Sequence, residues 1–237
     1  MSQLKAILFD FGGCLDSDGM HSRTLFLQVF NRFGIMKDIS KESFQEAYSY
    51  ADKKMIAEKL VIEANLRESN LIMVELILCA LEYHDQNEAK PLADEISKIQ
   101  ESFFSKNAPT LEKLSKNFRL GIISNFTGNL ELILKEYKLH HYFEHILDSY
   151  HVGFSKPDIK IFEEALNRFK IAPENCLFVG DNIERDILPA KSLGMKTVLI
   201  HEPIHSRTFN PGPDAYILEI AELLEYTKIN INSNQAT

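Results

Sequence analysis

Apolar residues first appear as a short unbroken run, Ala6-Ile7-Leu8-Phe9, too brief for a helix and closely followed by Gly12-Gly13. Such a run predicts a strand buried on both faces. From about 18 to 107 the spacing is helical. Leu25, Phe26, Val29, Phe30 and Phe33 share one face, Gly34 ends that helix, and residues 43–60, 71–83 and 92–104 continue the pattern. The segment 71–83, LIMVELILCALEY, is apolar almost all round and predicts the buried helix of a small bundle. Beyond 107 short apolar runs alternate with helical spacing. Thr110 is placed to cap a short helix, and strands are expected at 118–123, 145–147, 176–179, 196–200 and 215–218. Leu130, Ile133, Leu134 and Tyr137 mark one intervening helix. Ile159, Phe162, Leu166 and Phe169 mark the next, with Pro157 suited to its first turn. Residues 187–193 form a third, a further helix follows the last strand, and 229–237 reads as a frayed tail.

Strands that alternate with helices imply βαβ units and a parallel sheet, so the fold class is α/β. The layout is one strand, a helical insertion, then the remaining sheet: an α/β core of residues 1–17 and 107–237 carrying residues 18–106 as a cap. An insertion directly after the first strand sits where it can cover the strand ends.

Composition narrows the classes of partner. The 237 residues are 45% hydrophobic, enough for a sizeable core, and the formal charge of −8 argues against nucleic acid, whose binding rests on Lys and Arg. Cys14, Cys79 and Cys176 lie far apart without CxxC spacing, which suits a reducing compartment rather than a disulfide or zinc framework. No apolar run approaches the ~18 residues of a membrane span, and the first strand begins too early to leave room for a signal peptide. A cytoplasmic protein is expected, with a small molecule rather than a membrane or nucleic acid as partner.

Three apolar strands end in polar residues: Asp10, Ser124 and Asp181. In a parallel sheet those ends share one edge, where open α/β sheets bind ligands. Asp10 is placed to act as a nucleophile toward phosphorus, dividing one displacement into two through an aspartyl phosphate. Two anions repel, so a cation is needed between them. Asp181 and Asp186 are placed to hold it, since Pro189 requires the following helix to begin near Asp186 and leaves both acids in the loop or first turn. Oxygen ligands of this kind suit Mg²⁺. Ser124 and neighbouring backbone N–H groups, those of Phe11, Gly12 and Asn125, are candidates to hold phosphate oxygens, and Lys156 to neutralise phosphate charge. Of the histidines, His140, His141, His145 and His151 read as surface residues, and His201 and His205 as loop residues near the rim.

FDFGG with Asp10, IISN with Ser124, GFSKPDIKIF with Lys156 and GDNIERD with Asp181 and Asp186 resemble, in order and spacing, the four motifs of the haloacid dehalogenase-like (HAD) hydrolases. The resemblance covers essentially the whole chain, and the stretch from Leu120 to Gly194 is nearest the phosphatase-type branch. It implies a Rossmann-like three-layer core with a C1-type helical cap, Asp10 as nucleophile, Ser124 on the phosphate, Lys156 steadying both, and the last acids on Mg²⁺. One departure stands out. In most phosphatases of the family a second Asp, two positions after the nucleophile, protonates the leaving group, and here that position is Gly12. Its carbonyl still suits the metal, but a general acid ordinarily contributes ~10²–10⁴-fold. Asp16, Asp18 and His21 are possible substitutes, each also suited to capping a turn or facing solvent, and Cys14 reads as a small packing residue. The leading expectation is a Mg²⁺-dependent phosphatase of small phosphorylated metabolites. The alternatives are a metal-independent 2-haloacid dehalogenase and a non-catalytic binding protein of the same fold.

Overall fold

The computed structural model describes residues 3–201 and 212–232. Six strands, β1 (Ala6–Phe9), β2 (Arg119–Ser124), β3 (Phe143–Asp148), β4 (Cys176–Gly180), β5 (Lys196–Ile200) and β6 (Ala215–Ile217), form one all-parallel sheet in the order β3-β2-β1-β4-β5-β6. β1 therefore lies between β2 and β4, and the chain builds outward from it in both directions. Every residue of β1 is buried, and the twofold alternation of a strand sends Ile7 and Phe9 into one face and Ala6 and Leu8 into the other.

The insertion is helical throughout, in α1 (Ser22–Arg32), α2 (Lys41–Ala57), α3 (Leu66–Ala80) and the first half of α4 (Ala89–Ser115). These helices have an apolar core of their own, with Phe30 edge-on to Phe44 and Phe26 edge-on to Tyr48. α3 begins earlier than its apolar run suggests because Asn65 and Glu68 form a capping box. α4 departs from expectation. Thr110 caps nothing: it is buried inside a single helix that crosses 106/107 with Pro109 in its interior. The helix persists because both of its halves bury a face, Leu92 and Ile96 against the insertion and Leu111 and Leu114 against the sheet.

The sheet is covered on both sides. The second half of α4, α5 (Leu130–Glu136) and α9 (Leu223–Asn232) pack on one face. After the short α6 (Ser149–Val152), α7 (Ile159–Phe169) and α8 (Leu188–Ser192) pack on the other. Two details correct the sequence reading. Pro157 precedes the α7 N-cap, Asp158, rather than entering the first turn. α9 runs to Asn232, so 229–232 is helical, and 233–237 lies outside the described residues. No described helix is long and apolar enough to cross a membrane.

Candidate active site

β1, β2 and β4 are neighbours at the centre of the sheet, and their carboxyl ends bring Asp10, Ser124 and Asp181 to one edge. Asp10 follows β1 directly: its N–H donates to Val179 O at 2.8 Å, and its Oδ1 accepts the Phe11 N–H at 2.7 Å. The chain then turns sharply through Gly13, at φ +87°. A Cβ on Gly13 would lie 2.3 Å from Asp181 Oδ2, so this turn needs glycine for both conformation and space. Gly180 is constrained by space alone, since a Cβ there would meet the Asp186 side chain at 2.6 Å. Two glycines thus let two acids close on Asp10.

The three carboxylates converge. Asp10, Asp181 and Asp186 each offer an oxygen within 4.8 Å of the others. Lys156, 4% exposed, sits among them, its Nζ 2.8 Å from Asp10 Oδ1 and 2.6 Å from Asp186 Oδ1. Asp186 Oδ2 accepts the Asn182 N–H at 3.0 Å. Asp181 Oδ1 is buried and has no hydrogen-bond partner among the described residues. Burial, then the negative charges of Asp10 and Asp186, push the Asp181 carboxyl up to about 8, against the pull of Lys156 and Arg185. Burial also raises Asp186, although Lys156 opposes it. For Lys156 burial alone would favour the neutral amine, but Asp10 and Asp186 outweigh it and raise the pKa. An orphaned carboxylate oxygen among three clustered hard donors fits a divalent cation such as Mg²⁺.

Ser124 is buried at the end of β2. Asn125 has a role the sequence reading did not include: its amide clamps the backbone of Lys156, accepting Lys156 N–H at 2.7 Å and donating to Lys156 O at 2.8 Å. Asp148, at the end of β3, was also missed. Its buried carboxylate accepts the Gly128 and Tyr150 N–H groups and so holds the loop after β2. A strand-end acid between ordinary residues carries no motif that would have marked it.

Gly12 lines the cleft, and a Cβ there would lie 3.3 Å from Ser22 Oγ. The three possible substitutes for an acid at this position are engaged elsewhere. Asp16 accepts from Gly13 N–H, the Ser17 hydroxyl and the Gln100 amide, at 2.7, 2.8 and 3.0 Å. Asp18 pairs with Lys106 at 2.8 Å. His21 caps α1, its Nδ1 accepting Arg23 N–H, and burial followed by the charges of Arg185 and Arg23 lowers its pKa to about 4. Cys14 is fully buried beside Val179 O, as a packing residue should be. His140 and His145 lie within reach of Glu131 and Glu144 near the surface, His141 and His151 are exposed, and His205 lies outside the described residues.

A model of the haloacid dehalogenase-like hydrolases matches residues 7–200. The chain belongs to this family. Among relatives, a glyceraldehyde 3-phosphate phosphatase of Methanothermobacter thermautotrophicus is 38% identical over 108 residues, 43% of this chain and 46% of that protein. The chain spans about half or less of the length of the first curated relatives it matches. Solved HAD folds are similar over nearly the whole chain. A HAD phosphatase from Thermococcus onnurineus matches with TM-score 0.55 and 23% identity, covering 94% of this chain and 97% of its own. A 2-haloacid dehalogenase from Pseudomonas syringae matches with TM-score 0.53 and 24% identity over 94% and 97%. The HAD fold is thus shared with both chemistries, and the choice between them rests on the site.

Proposed function

We propose that this HAD hydrolase is a Mg²⁺-dependent phosphatase that acts on a small phosphorylated metabolite in the cytoplasm, through an aspartyl phosphate on Asp10. The observation that carries this reading is the trio of carboxylates with one buried, unpartnered oxygen. Dehalogenation needs no cation, and a site built only for it gains nothing from three mutually repelling acids. Relatives named as phosphatases support the same choice.

Asp10, Asp181 and Asp186 would hold the ion, with the Gly12 carbonyl as a further ligand. When bound, Mg²⁺ supplies charge neutralisation between Asp10 and the phosphoryl group. The chain's own groups do the rest. Phe11 N–H and Lys156 both engage Asp10 Oδ1, which orients Oδ2 as the attacking atom. Ser124 and the backbone N–H groups of Gly12 and Asn125 hold the phosphoryl oxygens, the Phe11 N–H being taken by Asp10, and Lys156 offsets charge that builds up on them. Asn125 acts further as a positioning residue by fixing the Lys156 backbone. With glycine at position 12, no carboxyl stands two residues after the nucleophile to protonate the leaving group. Good leaving groups are therefore favoured. Water finally cleaves the acyl phosphate and restores Asp10.

A phosphate-release screen over sugar, nucleotide and acyl phosphates tests this, run with Mg²⁺ and with EDTA beside a chloride-release assay on 2-chloropropionate. Phosphate release that EDTA abolishes is expected. Chloride release that persists in EDTA, with no phosphate released from any ester, contradicts it.

A further inference from the structure

The cleft of about 380 Å³ above Asp10 has an outer half, on the side of the insertion, whose polar groups the reaction above does not use. They come from three places: His21 and Arg23 where α1 begins, Tyr48 and Asp52 on α2, and Arg185 in the turn after β4. The Arg23 guanidinium lies over the Tyr48 ring, 5.4 Å from its centroid, which fixes its plane. Its Nε is buried and meets no acceptor among the described residues.

His21 adds a second mismatch. Its Nδ1 lies 3.1 Å from Arg23 N and its Nε2 lies 2.8 Å from Arg185 Nη2. A neutral imidazole has a single acceptor nitrogen, so it cannot satisfy both the Arg23 N–H and the Arg185 guanidinium, and one of these donors is left short. Neither mismatch is relieved by the nearby acids. Asp52 acts on Arg23 and Arg185 only through space, without a hydrogen bond to either, and Asp16 is occupied by its three donors. Arg23, Arg185 and His21 therefore bring more donors than acceptors to the wall of the cavity that also holds Asp10.

We infer that Arg23, Arg185 and His21 form a second anion subsite, and that the substrate is a phosphomonoester carrying a further carboxylate or phosphate remote from the ester bond. The planar guanidinium fork matches either group bidentately, and an anion beside Arg23 and Arg185 supplies the acceptors that their surplus donors lack. A hydroxyl or aldehyde in that place leaves the cations unneutralised. This substrate class rests on the phosphatase reading, and the subsite itself on the outer cluster alone.

The test separates binding from turnover. In an Asp10→Asn background with Mg²⁺ present, calorimetry gives Kd for ω-carboxyalkyl phosphates, alkanediol bisphosphates and ω-hydroxyalkyl phosphates of increasing length. The doubly anionic esters bind about ten- to a hundredfold more tightly than hydroxyl esters of matching length. Whichever of the two anionic series binds more tightly identifies the second group as carboxylate or phosphate. Arg23→Gln and Arg185→Gln each bring the ratio toward one, and Arg23→Lys recovers part of it. The two glutamine variants are read independently, so misfolding of one leaves the other to decide. Absence of binding, equal Kd values, or a ratio that a folded glutamine variant leaves intact overturns the subsite. If the unsubstituted enzyme releases no phosphate from these esters while the binding ratio holds, the phosphatase reading fails and the subsite stands. Turnover with a ratio of one has the opposite meaning.

Discussion

On the core side of the cleft nearly every polar atom is matched: Asp10 by Phe11 N–H and Lys156, Asp186 by Lys156 and Asn182 N–H, and Lys156 by two carboxylates and the Asn125 clamp. Among the buried side-chain atoms of the described residues on this side, the exception is one oxygen of Asp181. On the cap side the imbalance has the opposite sign, since Arg23 Nε has no acceptor among the described residues and His21 offers one acceptor nitrogen to both the Arg23 N–H and Arg185. One half is short of a cation and the other of an anion. A phosphomonoester with a charged tail, bound with a divalent ion, would satisfy both at once. The proposed roles divide the same way: the groups assigned to the chemistry are held by backbone and buried ion pairs, whereas those assigned to substrate choice stand at the start of α1 and in the short helical turn after β4.

Substitutions can break each half separately. Asp10→Asn is expected to lower phosphate release by at least about 10³-fold, because no nucleophile of equal placement remains. Its folding should survive, as checked by circular dichroism. Next in size is Lys156→Ala, which leaves Asp10 and Asp186 facing each other without their buried counter-ion. Urea unfolding of the metal-free protein should report a loss of about 3–5 kcal/mol, and a loss below 1 kcal/mol would mean that the lysine does not hold the acids together.

Gly12→Asp sharpens the account of leaving groups. The new Cβ meets only Ser22 Oγ, at 3.3 Å, so a small serine adjustment admits it. Supplying the missing acid should raise kcat on alkyl phosphates by about 10–10²-fold with much less effect on aryl phosphates, whose departing oxygen needs no proton. Equal effects on both would remove the acid from the explanation.

The smallest effect concerns pH. Asp181 holds its proton up to about 8 in the folded chain, against 3.8 for an ordinary Asp. Between those values the folded state binds more protons than the unfolded one, so stability falls as pH rises and is greatest below the unfolded pKa as far as this group is concerned. Mg²⁺ competes with that proton, so the rise in Tm that Mg²⁺ produces should grow from about pH 6 to pH 8.5. Each kcal/mol of stabilisation corresponds to roughly 2–4 °C in a chain of this size. A Mg²⁺ increment independent of pH would place the ion away from Asp181.

The same contrast explains what could be read from the chain alone. Asp10, Ser124 and Asp181 were legible because buried strands announce themselves as apolar runs, and a parallel sheet then puts their ends together whatever their separation in sequence. The glycines beside Asp10 and Asp181 marked the tight turns that bring the acids close. The cap half was not legible. Helical periodicity identifies the face of α1 that packs inward, through Leu25, Phe26, Val29 and Phe30, but not that Arg23 leans on Tyr48. Arg185 stands inside GDNIERD, where the acids draw attention from it. The continuity of α4 was hidden for a related reason. Pro109 and Thr110 carry the local signal of a break, which burial of both halves of the helix overrides.

The central claim, that Asp10 takes the phosphoryl group, is tested most directly by acid-quenching a Mg²⁺-loaded reaction and sequencing the Asp10 peptide by mass spectrometry. The account predicts a phosphoryl group on the Asp10 carboxylate that disappears on a hydroxylamine chase. Phosphate released with no modification of Asp10, or with the phosphoryl group on another residue, contradicts it.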